Sequence, residues 1–144
     1  MKRFLFLAMA ILAFACTSSG EDRPITFDKL PEPAQKFIKA NFAGEKTALI
    51  TQDKDIIAPD YEVTFVSGTS LEFDYKGGLK KIEAKAAGID EKLIPEPIRT
   101  YVNDHFPGNS YIEYSIERNS YEVELSNRME LKFNSRFELI EIDK

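Results

Sequence analysis

The 144 residues contain no tryptophan, one histidine and one cysteine, and each scarcity argues against a class of chemistry. The histidine, His105, has no second His, Cys or carboxylate at ligand spacing, which argues against a metal centre. No nucleophile accompanies it, so it has nothing to serve as a general base. With one cysteine no intrachain disulfide can form, and the fold rests on a hydrophobic core. The longest uncharged apolar run, Phe4 to Ala15, has twelve residues, short of the about 20 that a bilayer-spanning helix needs. No stretch concentrates Lys and Arg among aromatics, which argues against nucleic acid as a partner. Gly-x-Ser-x-Gly is absent, and Gly77-Gly78 precedes no helix that would make it a phosphate cradle. Asp53, Asp55 and Asp60 lack the regular oxygen spacing of a calcium loop and read as a solvated acidic loop. No catalytic residue, cofactor or metal is expected, and the chain reads as a non-enzyme.

What is present begins with an address. Lys2-Arg3 followed by the apolar run reads as a signal peptide over residues 1–15. Cys16 follows at once, a placement that resembles the lipobox of bacterial lipoproteins, with ordinary cleavage as the alternative. Residues 16–26 are polar and read as a tether. The expected product is an exported domain in the periplasm or at the outer membrane or cell surface, lipid-anchored at Cys16. Setting aside Lys2 and Arg3, 17 basic residues face 24 acidic ones.

The chain then says one thing twice. Leu30-Pro31-Glu32-Pro33 opens a segment closing at Phe42 and Gly44, and Ile94-Pro95-Glu96-Pro97 opens one closing at Phe106 and Gly108. Tyr61-Glu62-Val63 returns as Tyr121-Glu122-Val123, and Leu71-Glu72-Phe73 as Leu131-Lys132-Phe133. A repeat of this length indicates a small domain in duplicate rather than a solenoid. In the first copy Leu30, Ala34, Phe37, Ile38 and Phe42 fall on one helical face, with prolines in the tolerant first turn. Gly44 is expected to end that helix in a left-handed turn.

Alternation of period two then predicts strands at 47–52, 61–65, 71–75 and 79–85, and in the second copy at 111–117, 121–125, 129–133 and 137–142. The fold class expected is α+β: two tandem repeats, 27–85 and 93–144, each a helix followed by a four-stranded antiparallel meander. The linker 86–92 is short, so the sheets should join with the helices on one face. Arg128 and Phe137 replace the turn glycines Gly68 and Gly77, and Asn127 and Asn134 are expected to supply the left-handed conformations.

On the first strand of the second copy, Ile112, Tyr114 and Ile116 alternate inward. That leaves Tyr111 outward beside Glu113 and Glu117, a candidate contact for a protein partner. The pattern Leu-Pro-x-x-Ala-x-x-Phe-Ile, then Tyr-Glu-Val, then Leu-Glu-Phe-Asp, resembles the PepSY-like secreted domains of bacteria over residues 27–144. These look like the β-lactamase-inhibitor-protein fold. The resemblance implies a binding or inhibitory module acting on another envelope protein or peptide through the exposed sheet face. A carrier of a small apolar ligand between helices and sheet is the alternative.

Overall fold

A computed structural model describes residues 22–144; the expected signal peptide and Cys16 lie outside the described residues. The two proline-led segments become helices, α1 over Glu32–Asn41 and α2 over Glu96–His105. Pro31 and Pro95 stand at the N-caps, where a missing N–H removes no helical bond. At its end α1 is closed by the Asn41 side chain, whose Nδ2 donates to the Phe37 carbonyl at 3.0 Å, and by Phe42 N–H on the Ile38 carbonyl. His105 does the same work on α2, its Nδ1 lying 2.9 Å from the Tyr101 carbonyl. Gly44 does not turn left-handed, contrary to expectation; Gly108 does, at φ +82°. After α1 the chain turns through Glu45 N–H on the Phe42 carbonyl, at 3.0 Å, a closure that needs no left-handed residue.

Nine strands follow one another: β1 (Arg23–Pro24), β2 (Thr47–Gln52), β3 (Tyr61–Phe65), β4 (Ser70–Phe73), β5 (Leu79–Glu83), β6 (Tyr111–Ile116), β7 (Ser120–Leu125), β8 (Glu130–Asn134) and β9 (Leu139–Asp143). They form one antiparallel sheet whose spatial order is the chain order. The fold is α+β, with a helix before β2 and another before β6. The join expected between two meanders is a hydrogen-bonded ladder: Lys81, Ile82 and Glu83 of β5 face Ser115, Tyr114 and Glu113 of β6. β1 departs from the tether expected over residues 23 and 24. They pair with Gln52 and Thr51 and cover the edge of β2, and proline is allowed at such an edge.

One row of side chains explains the core. Ile50, Val63, Leu71, Ile82, Tyr114, Val123, Leu131 and Ile142 stand each directly opposite the next across eight strands. All but Ile142 are buried. Phe37 of α1 meets Phe73 edge-on at 5.8 Å, and Tyr101 of α2 meets Phe133 edge-on at 5.6 Å, so both helices cover this face. Each large side chain buried there contributes about 1.5–3 kcal/mol.

The hairpins correct a second expectation. Gly68 and Gly77 take φ +89° and +84°, and in the later hairpins Arg128 and Phe137 themselves adopt φ +71° and +62°. Asn127 and Asn134 instead lend side-chain oxygens: Oδ1 of Asn127 accepts from Met129 N–H, and Oδ1 of Asn134 from Arg136 and Glu138 N–H. The asparagine closes the turn as an acceptor, and the residue after it or beyond bears the strain.

Candidate functional site: the outer face of the sheet

Pleating sends alternate residues away from the helices, and two rows make up that outer face. The first runs Thr51, Glu62, Glu72, Lys81, Ser115, Glu122, Lys132, Glu141. In the second, Glu83, Glu113, Glu124, Glu130 and Asp143 stand directly opposite one another across β5 to β9. Like charges placed so oppose folding. Lys81 relieves part of this, 2.9 Å from the Glu113 carboxylate and 3.7 Å from that of Glu83. Burial pulls the Lys81 ammonium down, but the hydrogen bond to Glu113 and the surrounding carboxylates leave it raised. Arg128 holds Glu124 at 3.2 Å, and Lys132 holds Glu117 at 3.3 Å.

Crowding shows in the carboxyls themselves. Glu62 is raised above its usual 4.5 by burial and then by the charge of Glu72. Glu122 is raised by burial and then by Glu130. Two shallow acidic hollows result, one of about 180 Å³ among Glu122, Glu130, Lys132, Glu141 and Asp143, the other of about 130 Å³ near Asp22, Asp53, Glu62 and Glu72. Chemically such a face can attract and hold cationic groups.

Beside the second hollow, the loop from Asp53 to Asp60 lifts Ile56 and Ile57 almost wholly into solvent, 92 % and 91 % exposed. Asp53 and Asp55 spend side-chain oxygens on the loop's own N–H groups, at Asp55 and Ile57, and Asp60 pairs with Lys80. Among the described residues no three His, Cys, Asp or Glu side chains are grouped to hold a metal ion.

The expected outward Tyr111 is wrong. Tyr111 is 1 % exposed and is the largest of the fully buried side chains. A bulge between Tyr111 and Glu113 makes Ile112 an extra residue, so Tyr111 faces Leu125 on the core side. Burial pushes its phenol up to about 12, and its hydroxyl has no hydrogen-bond partner among the described residues. Tyr111 is therefore no partner contact. Glu113 and Glu117 do lie on the outer side, bound to Lys81 and to Lys132 and Ser120 respectively. The Ser120 hydroxyl, then Lys132, hold Glu117 below its usual value. His105 stacks on Tyr101 at 4.1 Å and is occupied at the helix end. The acidic row went unread in the sequence because it exists only once the strands are in register; acidic residues at every second position of 122–124 and 141–143 were its trace.

On the helix side, a cleft of about 410 Å³ opens between the end of α1 and residues 84–93, lined by Phe42, Ile82, Ile89 and Leu93 but also by Asn41, Glu45, Thr69 and Asp90.

Residues 18–58 and 59–141 match the family described as "Putative beta-lactamase-inhibitor-like, PepSY-like". Among solved structures, a "putative calcium-regulated periplasmic protein" of Bacteroides thetaiotaomicron is similar at 38 % identity and TM-score 0.82, over 85 % of this chain and 97 % of that one. A "putative periplasmic protein" of the DUF2874 family from Bacteroides vulgatus gives 34 % and 0.83, over 88 % and 99 %. A third, also from Bacteroides vulgatus and described as of unknown function, gives 27 % and 0.80, over 86 % and 100 %. No curated protein matches.

Proposed function

The chain belongs to the PepSY-like, β-lactamase-inhibitor-like family, and from that premise we propose a non-catalytic, exported binding or inhibitory module. It takes a basic protein or peptide of the cell envelope on the outer face of its sheet, and a lipid at Cys16 anchors it. The observation that carries this reading is the row Glu83, Glu113, Glu124, Glu130, Asp143. Lys81, Lys85 and Arg128 pair with Glu83, Glu113 and Glu124, yet the row keeps an excess of negative charge that a cationic partner would relieve. The exposed pair Ile56 and Ile57 at one end suits an apolar contact beside the charged one. Periplasmic descriptions of the similar structures support export.

The module reads as one unit in duplicate, 27–85 and 93–144. In its support, α1 and α2 are offset by 64 residues, β3 and β7 end 60 apart, and register shifts recur at Thr47/Leu49 and Tyr111/Glu113 and again at Glu72/Phe73 and Lys132/Phe133. The polar groups that recur with them close turns: Asp74 Oδ1 accepts from Lys76 and Gly78 N–H as Asn134 Oδ1 accepts from Arg136 and Glu138 N–H.

The test is capture from solubilised envelopes by the wild-type chain and by a Glu83→Lys, Glu124→Lys variant with an unchanged melt. A partner held by the wild type, released in roughly 0.5 M salt and lost from the variant supports the face. Equal recovery by both overturns it. For the anchor, a fatty-acid label carried by the wild type and absent from Cys16→Ala is expected. The carrier reading has the 410 Å³ cleft as its place. Its mixed lining, and the Phe37–Phe73 and Tyr101–Phe133 contacts that fill the space beneath the helices, favour the sheet-face reading.

A further inference from the structure

β5 and β9 are set on their neighbours in the same way but end differently. Against β4, Ile82 faces Leu71, Lys81 faces Glu72 and Leu79 faces Phe73, with a register shift before the last pair. Against β8, Ile142 faces Leu131, Glu141 faces Lys132 and Leu139 faces Phe133, with the same shift. The other side of β5 is occupied by β6, which lays Tyr114 over Ile82 and Ser115 opposite Lys81. The other side of β9 has no strand among the described residues. There the core row runs out at Ile142, which is 47 % exposed where Ile82 is 0 %, and Ile140 is 57 % exposed beside it.

The edge is five residues long, with no proline and no lysine within it; its protections are the register shift at Ile140 and the charges of Glu141 and Asp143. Its charges are also inverted, acidic at Glu141 where β5 carries Lys81. We propose that β9 is a strand-addition site for an extended peptide that alternates basic and apolar residues. The apolar set continues the core row beyond Ile142, as Tyr114 does beyond Ile82. The basic set falls opposite Glu141 and Asp143, above the hollow those two share with Glu122 and Glu130. The site shares Asp143 and this hollow with the sheet face but adds the backbone edge of β9, so protection at β9 and the need for peptide N–H donors test it separately from the reading of that face.

Charge selects this occupant over a second copy. Antiparallel pairing of β9 with itself about Ile142 sets Glu141 against the copy's Asp143. Pairing about Glu141 sets two Glu141 carboxylates face to face, and pairing about Ile140 sets Leu139 against Glu141. Asp22, where the described residues begin, adjoins β1 at the opposite edge, about 38 Å away at ~4.8 Å per strand.

The test uses the mature chain and capped ten-residue peptides of alternating Lys-Val, Glu-Val and Lys-Pro, followed by fluorescence anisotropy and amide hydrogen exchange. Lys-Val should bind and slow exchange at β9. Glu-Val should fail for its charge, and Lys-Pro should fail because proline cannot donate to a ladder. Glu141→Lys with Asp143→Lys should weaken Lys-Val binding by about tenfold, while Glu62→Lys with Glu72→Lys at the far edge should not. The proposal is overturned if Lys-Val does not bind, if Lys-Pro binds as well, if protection falls elsewhere, if the far-edge pair matters equally, or if the free protein self-associates through β9.

Discussion

Tyr111 takes a hydroxyl into the core, where no group among the described residues receives it. A buried polar atom without a partner costs about 1–3 kcal/mol. Tyr111→Phe should therefore match or exceed the wild type by up to about 1 kcal/mol in urea unfolding, whereas Tyr111→Ala should lose about 3–5 kcal/mol. Burial also pushes Tyr114 up to about 12, with Tyr121 a lesser cause, as it does Tyr111. The unfolded phenols titrate near the ordinary 10.0. The folded chain thus holds these protons more tightly, and stability that is whole below pH 10 should drain away as pH rises from 10 through 12. Urea midpoints taken from pH 9 to 12 should fall less steeply for Tyr111→Phe. At this scale the sequence was legible at Glu113 and Glu117, which alternation puts on the outer side where they lie, and illegible at Tyr111. Strict alternation from Tyr114 points Tyr111 outward, and only the bulge at Ile112 turns it in.

Among the elements, the hairpins separate two costs that sequence cannot separate. A Cβ on Gly77 would lie 2.9 Å from the Ala34 backbone nitrogen and 2.9 Å from Pro31 Cβ at the start of α1, while one on Gly68 would meet nothing within 4 Å. Both residues have positive φ. Gly68→Ala should cost about 1–2 kcal/mol from backbone conformation alone, and Gly77→Ala about 2–4 kcal/mol because α1 must also shift. Thermal melts of the two single variants check the difference. Arg128→Gly should change stability by less than about 1 kcal/mol, since it removes a left-handed arginine but leaves Glu124, only 16 % exposed, without its cation among opposed carboxylates. Helices and strands were readable because proline placement and the change of period from 3.6 to 2 are local signals. β1 was not, because two residues become a strand only through β2 beside them.

For the whole molecule, the acidic face costs stability. Glu62 and Glu122 are both raised, by burial first and by Glu72 and Glu130 next. Their ionisation therefore costs the folded chain more than the unfolded one. What they contribute is full below about pH 4.5 and is lost as pH rises through their raised values. Glu62→Gln and Glu122→Gln should each stabilise the protein at pH 7, by about 0.5–1 kcal/mol, with the gain vanishing towards pH 4 in urea titrations. An excess of acid was legible in composition; its gathering on one face was not, because that depends on register across strands far apart in the chain.

A sheet whose strands lie in chain order also has a mechanical meaning. Its first and last strands are at opposite edges, so a load applied between the two ends passes through every ladder in series. β1, held to β2 by two paired residues, is the shortest join in that series, whereas the seam between β5 and β6 is extended beyond its three pairs by Ala84 N–H on the Ile112 carbonyl and by the bridge from Ile89 to Tyr111. Under tension β1 should part first, before any ladder inside the body.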